Sequence, residues 1–179
     1  MNNQNSNQSL KILKAMRVSY NIAKKIRYIT IFISIMLPII SIIFKYVNYK
    51  QLNIYISTFS TLWIFIMYFF GEIEFYYTKK GAKIQELFDV KVLNLTWNNI
   101  LIGDKIKWEE ILELSKKFKG KLDDLEDWYT GLNSNKEIIN ILTAQRSNLI
   151  WGFSLKKIYL IILISITILY IVLSISIGC

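Results

Sequence analysis

Histidine is absent from this sequence, and cysteine and proline each occur once. Without histidine, and with Cys179 as the single thiol, the chain does not carry the ligands of His- or Cys-type metal sites. Thiol catalysis and a disulfide framework are excluded on the same ground. We therefore expect no metal and no other cofactor, and we interpret Cys179 as an ordinary thiol.

Glycine-rich stretches are also missing, because the seven glycines are isolated from one another. The sequence therefore has no phosphate-binding glycine loop. Its one dense carboxylate group is an acidic run at Asp123, Asp124, Glu126 and Asp127. A general acid and base need an enclosing pocket that shifts a pKa, and a solvated acidic loop does not provide one. Composition thus argues against an enzyme.

Acidic residues are absent outside residues 71–157, which hold all 13 of them. The remainder contains three apolar blocks without Asp, Glu or Arg, at Ile29–Val47, Ile54–Phe70 and Ile158–Ile177. A helix of about 20 such residues matches a hydrocarbon thickness of about 30 Å. The sequence predicts three transmembrane helices.

The positive charge is unevenly distributed along the chain. The net charge is +9, and residues 1–28 contribute six Lys or Arg and no acid. Such an excess beside a first span marks the cytoplasmic side of a membrane. We therefore expect the N-terminus and residues 71–157 in the cytoplasm and the C-terminus outside, and we expect no nucleic-acid partner.

The amino-terminal segment, residues 1–28, is predicted to be basic and amphipathic. Residues Met1–Ser9 are rich in Asn, Gln and Ser, so we expect them to be disordered. Apolar residues recur at helical spacing from Leu10 to Tyr28. The predicted helix has two possible locations, on a lipid surface or packed against the later cytoplasmic segment. The apolar face of this helix comprises Leu13, Met16, Tyr20, Ala23 and Ile26.

The predicted hairpin, residues 29–70, turns at a link from Lys45 to Asn53. Its first helix contains Pro38 near mid-membrane. Proline removes one backbone hydrogen bond and bends a helix. The bend has two interpretations, a packing feature or a hinge where a pore widens.

Three helices are predicted in the cytoplasmic segment, residues 71–157. The first runs over residues 79–93, and a turn-prone stretch at 96–104 precedes the second. After a loop at 120–135, the capping pair Ser134 and Glu137 begins a third helix that continues into the last span at 158–179. The first helix has Ile84, Leu87, Phe88 and Val92 on one face, and the second has Trp108, Ile111, Leu112, Ser115 and Phe118 on one face.

A group of aromatic and polar residues in this segment has two interpretations. The aromatic members could build the core of a helical unit. Alternatively, they could stack on bases while Arg146 binds phosphate through its planar fork. The candidate ligand-binding residues are Trp97, Asn98, Trp128, Tyr129, Gln145, Arg146 and Asn148.

Short motifs in the same segment resemble the four-transmembrane SMODS-associated effector family. They are the run at residues 81–89 with Gln85, Glu86, Phe88 and Asp89, then Leu95–Asn98, then Asp127–Tyr129, and Gln145–Asn148 with Trp151. Arg17, Tyr20, Ala23 and Lys24 also resemble the opening of that family. The resemblance implies a pore-forming effector of a bacterial anti-phage system, in the inner membrane and encoded beside a nucleotidyltransferase. It further implies activation by a cyclic oligonucleotide. Because three uncharged spans cannot enclose a channel alone, we expect a homo-oligomer.

The sequence departs from that family in three places. It ends after a third span, so the fourth helix is missing, through truncation or because this member works with three. Thr96 and Gly152 stand where proline and an acid are usual in the family. The fold expected overall is an all-α membrane protein: a transmembrane hairpin, a helical cytoplasmic insert and a third transmembrane helix.

Two further functions compete with a pore. One is a non-enzymatic membrane adaptor that recruits a protein through its cytoplasmic segment. The weaker one is a membrane-bound enzyme that uses Asp127, Tyr129 and Arg146.

Overall fold

The computed structural model describes residues 4–46, 50–132 and 134–177, and these residues form five helices and no strand. The predicted all-α class is confirmed. Helix α1 already reaches Tyr46 and α2 begins at Lys50, so the link is shorter than the sequence predicts. Its tip at 47–49, like Cys179, lies outside the described residues. The helices are α1 (Asn7–Tyr46), α2 (Lys50–Val92), α3 (Asn99–Ile102), α4 (Trp108–Lys116) and α5 (Glu137–Ile177).

Three of these helices, α1, α2 and α5, are long and apolar enough to cross a membrane. Their apolar side chains are largely exposed over the predicted spans, from Ile29 in α1 to Ile168 in α5. In a water-soluble protein such helices would leave a large apolar surface wet, whereas lipid is a suitable solvent for it. The three predicted membrane-crossing helices are therefore present in the structure.

The chain divides into two compact units, Met1–Glu126 and Asp127–Cys179. In the first unit α1 and α2 form an antiparallel hairpin whose paired residues lie equally far from the link. Lys91 Nζ donates to Gln8 Oε1 at 2.7 Å at the open end, and Trp63 Nε1 donates to Ser34 Oγ at 3.0 Å nearer the link. The hairpin therefore extends well past the predicted spans.

The start of α1 corrects the prediction for the amino terminus. Disorder predicted for Met1–Ser9 is wrong where the structure describes the chain, because α1 begins at Asn7 and Ser9 is buried. The Ser9 amide donates to Ser6 Oγ at 3.2 Å, which is the hydrogen bond of a serine N-cap. The Asn-, Gln- and Ser-rich composition of this stretch predicts disorder and does not indicate the cap.

The buried surface of α1 distinguishes between the two alternatives left open by its sequence. Leu13, Met16 and Ala23 of the predicted face are buried, and so are Ala15 and Val18 to either side. A helix lying on lipid would bury a single stripe, but this helix packs against both α2 and α4. The amino-terminal helix is thus packed on α2 and α4, and it continues into the first predicted span without a break.

Helix α2 likewise joins two elements that the sequence analysis separates. The second span and the predicted helix at 79–93 form one helix of 43 residues. Gly71, the expected boundary, lies inside it. A helical glycine is less favourable than alanine by only about 1 kcal/mol, too little to interrupt a helix that packs along its length.

Two shorter helices follow α2. The stretch predicted to turn, 96–104, contains the single-turn helix α3. In α4 the buried residues are Ile111 and Leu114, so the predicted face is displaced toward Leu114. Phe118 was assigned to this helix incorrectly, because α4 ends at Lys116.

In the second unit, α5 runs from Glu137 to Ile177, so the predicted third cytoplasmic helix and the last predicted span form one helix over the described residues, as the sequence predicts. The predicted capping pair differs in one partner. The Ser134 amide donates to Asn140 Oδ1 at 3.1 Å, and Asn140 Nδ2 donates back to Ser134 O at 2.9 Å. The buried Asn140 thus makes the reciprocal contact that the sequence analysis assigned to Glu137.

Candidate functional site

The motif at residues 81–89 lies where α2 packs on α1. Tyr20 Oη donates to Gln85 Oε1 at 3.3 Å, while Ile84 and Phe88 are fully buried. An ideal Cβ on Gly81 would lie 3.0 Å from the Tyr20 ring, so any larger residue would require the ring to shift from its present position. Part of the family motif is therefore explained by the packing of Tyr20.

The electrostatics of this contact keep Tyr20 protonated. Burial raises the pKa of its hydroxyl, and the negative charge of Asp89 raises it further. The hydroxyl therefore remains a donor to Gln85. Asp89 and its neighbour Glu86 are half-buried on the same helix.

Trp97 and Asn98, two of the predicted ligand-binding residues, stabilise the loop around α3. Asn98 Oδ1 accepts hydrogen bonds from the amides of Ile100 and Leu101 at 3.0 and 3.2 Å and so caps the helix. Trp97 Nε1 donates to the carbonyl oxygen of Gly103 at 2.9 Å. Trp97 is half-buried, with Lys105 Nζ 5.8 Å from the centroid of its ring, whereas the Asn98 side chain is exposed and accessible to a ligand.

Tyr129 and Asn148, 19 positions apart, are brought together in the second unit. Asn148 Nδ2 donates to Tyr129 Oη at 2.8 Å, and Tyr129 is buried. This hydrogen bond joins the loop before α5 to the helix itself. Beside it, Trp128 is half-buried and Asp127 has a φ of 48°, a left-handed conformation that aspartate tolerates.

The other predicted contacts in the second unit are accessible. Gln145, Arg146 and Trp151 have exposed side chains on α5. An exposed guanidinium is available for a phosphate, which is the role proposed for Arg146.

A basic cleft, not singled out by the sequence analysis, lies between α2 and the start of α4. It has a volume of about 290 Å³ and is lined by Tyr76, Lys79, Lys80, Lys83, Ile106 and Glu110. The α2 residues recur at intervals of three, four and seven positions, which places them on one helical face. That spacing was a signal in the sequence, but the facing residues Ile106 and Glu110 were not predictable from it.

Within this basic cleft, Lys80 forms an ion pair with Glu110. Burial lowers the pKa of Lys80, but the hydrogen bond and charge of Glu110, together with Tyr76, outweigh it and raise the pKa overall. Lys79 and Lys83 have no carboxylate partner in the part of the chain that the structure describes. The cleft thus has an excess of positive charge.

A second groove lies inside the predicted membrane hairpin. Its volume is about 570 Å³. Trp63, whose indole donates to Ser34, is a buried residue of its lining. The polar lining consists of Ser34, Ser41, Ser57 and Ser60, and Pro38 also contacts the groove. This serine groove brings four hydroxyls together among apolar lining residues such as Leu37, Ile64 and Met67.

Comparison with known proteins gives consistent results. The SMODS-associating 4TM effector domain matches residues 1–179. A protein of Bacillus cereus (strain VD146) named "Probable CBASS effector molecule" is 40% identical over 180 residues. The match covers 98% of this chain and 61% of the relative, so the chain spans less than two thirds of that protein. No solved structure matches the chain.

Proposed function

The chain belongs to the SMODS-associating 4TM effector family, and on that premise we propose that it is a pore-forming effector of the bacterial inner membrane, activated by a cyclic oligonucleotide. Membership makes it a membrane effector of an anti-phage system. The partner that would supply the signal is a nucleotidyltransferase. The topology we propose has the N-terminus and residues 71–157 in the cytoplasm and the C-terminus outside.

The observation that carries the pore proposal is the serine groove in the hairpin. Its hydroxyls come from both helices, with Ser34 and Ser41 on α1 and Ser57 and Ser60 on α2. Polar groups within a span are unfavourable against lipid and are found at helix contacts or water-filled paths. When copies of the chain assemble with these faces turned inward, the hydroxyls line a hydrated passage.

Continuous helices support a mechanical connection from the cytoplasm to this groove. Helices α1 and α2 both run from the cytoplasmic contact of Tyr20 and Gln85 into the spans without interruption. Near the expected membrane edge, Arg27 Nε donates to Glu74 Oε1 at 2.7 Å and joins the two helices. A shift at their cytoplasmic ends therefore reaches the groove through rigid elements.

The energetic requirement on the signal is considerable. A ligand reverses a two-state equilibrium fully only if it favours the open state by about 5.5 kcal/mol.

Arg146 and Gln145 are proposed nucleotide contacts, since charge-assisted hydrogen bonds to phosphate are among the stronger polar interactions. Substituting Arg146→Ala tests this role: a clear loss of cyclic-oligonucleotide binding supports it, and unchanged binding refutes it.

Dye release from liposomes tests the pore itself. Proteoliposomes are loaded with a self-quenching dye and mixed with cyclic oligonucleotides, and release is expected only when the cognate nucleotide is added. Ser60→Leu is expected to suppress this release, because leucine replaces a hydroxyl of the groove. Thr58→Leu is the matched control, since Thr58 lies on the same helix outside the groove and donates to Ile54 O at 2.9 Å.

Two outcomes contradict the proposal. No release under any condition favours an adaptor that recruits a protein through its cytoplasmic segment. If Ser60→Leu and Thr58→Leu suppress dye release equally, release does not depend on the serine groove. Tag accessibility checks the topology, because a tag near residue 110 that reacts from outside the cell refutes it.

A further inference from the structure

We propose that the basic cleft between α2 and α4 is a binding site for a phosphate group of a soluble, phosphate-bearing ligand. The inference deepens the proposed function, on which it rests for the identity of the ligand as a nucleotide. It assigns the phosphate to Lys79, which lies outside the family motifs quoted above, and to Lys83, which lies within the run at residues 81–89. Lys80, Glu110 and Tyr76 complete the site.

The charges in the cleft are those of an anion site. Three lysines line it against a single carboxylate, and that carboxylate is already paired with Lys80. The ammonium groups of Lys79 and Lys83 therefore add two positive charges that no described carboxylate neutralises. Because like charges in one cleft repel, an anion that bridges them is favoured there.

Contacts in the cleft hold two of its three lysines, Lys83 and Lys80, in place, whereas Lys79 is exposed. Lys83 Nζ lies 3.5 Å from the position of an ideal Cβ on Gly103, so its long side chain reaches the turn before α4. Lys80 is fixed by Glu110 and by cation–π contacts, with Nζ 5.2 Å from the centroid of the Tyr76 ring. Lysine binds phosphate well as a compact charge with several donors, provided that its position is limited.

The size of the cleft limits what enters it. A volume of about 290 Å³ is at the lower end of ligand pockets, which are typically about 300–1,000 Å³. It accommodates a phosphate with part of an attached group, and the Tyr76 ring at its edge offers a surface for stacking. A larger ligand would leave its remaining parts outside the cleft.

The distance from the membrane favours a soluble ligand over a lipid headgroup. At about 1.5 Å per residue, Tyr76 lies about 9 Å and Lys83 about 20 Å beyond Phe70, where the second span is expected to end. Headgroup layers add only about 5–8 Å on each side of the hydrocarbon. The Lys83 end of the cleft therefore lies beyond the headgroups of an upright hairpin.

Lysine footprinting on the full chain in phosphatidylcholine nanodiscs tests the site. An amine-acylating reagent is applied with and without inorganic pyrophosphate or a cyclic dinucleotide, and the modified lysines are read by mass spectrometry. Acylation of Lys79 and Lys83 is expected to fall several-fold, while the exposed Lys119 and Lys121 stay unchanged. Equal protection of all four lysines, or of none, overturns the proposal.

Variants provide a second measurement by calorimetric titration of pyrophosphate. K79Q/K83Q is expected to weaken binding about tenfold or more, as the loss of charge-assisted hydrogen bonds implies. K119Q/K121Q removes the same charge elsewhere and is expected to leave binding intact. If both double variants weaken pyrophosphate binding equally, the effect comes from net charge alone and the site is refuted.

Further comparisons distinguish a soluble ligand from a lipid headgroup. They also distinguish failure of the cleft proposal from failure of the pore proposal. Protection that occurs only in nanodiscs with phosphatidylglycerol, and not with soluble phosphates, refutes a soluble ligand. Protection without dye release leaves the cleft supported and the pore refuted. Nucleotide-triggered release that K79Q/K83Q does not alter supports the pore and refutes the cleft.

Discussion

Replacing Gly81 by alanine tests whether the contact between Tyr20 and α2 stabilises the open end of the hairpin. A helical alanine is more favourable than glycine by about 1 kcal/mol. Its Cβ, however, would lie 3.0–3.1 Å from three atoms of the Tyr20 ring, and overpacking of this kind destabilises by about 1–3 kcal/mol. The clash outweighs the gain, and we expect a net loss of about 1 kcal/mol.

Gly71 provides the matched control because it lies in the same helix with no atom within 4 Å of an added Cβ. Gly71→Ala is therefore expected to be neutral or to stabilise by up to about 1 kcal/mol. The expected difference in stability between the two variants is about 1–2 kcal/mol, a factor of about 5–30 in an equilibrium constant. Hydrogen exchange of the α1 amides around Met16 in nanodiscs measures it.

A double substitution isolates the cause. With Tyr20→Leu the ring is gone, so Gly81→Ala is expected to become neutral or stabilising in that background. If Gly81→Ala and Gly71→Ala change the exchange of α1 equally, the Tyr20 contact does not stabilise the hairpin. If Gly81→Ala destabilises equally with and without the ring, its effect has another origin.

Three further outcomes are expected. Trp63→Phe removes the indole hydrogen bond inside the hairpin and should destabilise it by about 0.6 kcal/mol, measured by unfolding in mixed detergent micelles. Glu110→Gln removes the partner that raises the pKa of Lys80, so the Lys80 amine should react with an acylating reagent at lower pH. Since the folded pKa of Lys80 is raised above its ordinary 10.5, the stabilisation by this ion pair is full at neutral pH and is lost only as alkaline pH passes that folded pKa. Asn140→Ala leaves the Ser134 amide and carbonyl without their side-chain partner and should destabilise by about 1–3 kcal/mol, seen as faster hydrogen exchange where α5 begins.

Each of these expectations has a control within the chain. Trp151→Phe changes an exposed indole and Asn135→Ala changes an exposed amide, so both should be nearly neutral. Lys117, which is exposed, should acylate identically with and without Glu110→Gln. If Trp63→Phe or Asn140→Ala destabilises no more than its control, the assigned hydrogen bond does not contribute to stability. If the pH dependence of Lys80 acylation is unchanged by Glu110→Gln, the ion pair does not contribute either.

The sequence by itself determined the class of protein, because the signals involved are local. Uninterrupted apolar blocks such as Ile158–Ile177 predict a span from length and hydropathy alone, and α5 contains that block. Helical periodicity likewise identified Leu13 and Met16 as buried residues of α1. The family followed from short motifs in a fixed order.

Tertiary structure decided which surfaces face one another, since that depends on residues far apart in the chain. Burial on both sides of α1 required α2 and α4, and local periodicity predicts only a single stripe. Lys80 meets Glu110, 30 positions away, only because α4 returns along the hairpin. Hydropathy and spacing act within a few turns of a helix, whereas the basic cleft and the serine groove exist only where separate helices meet.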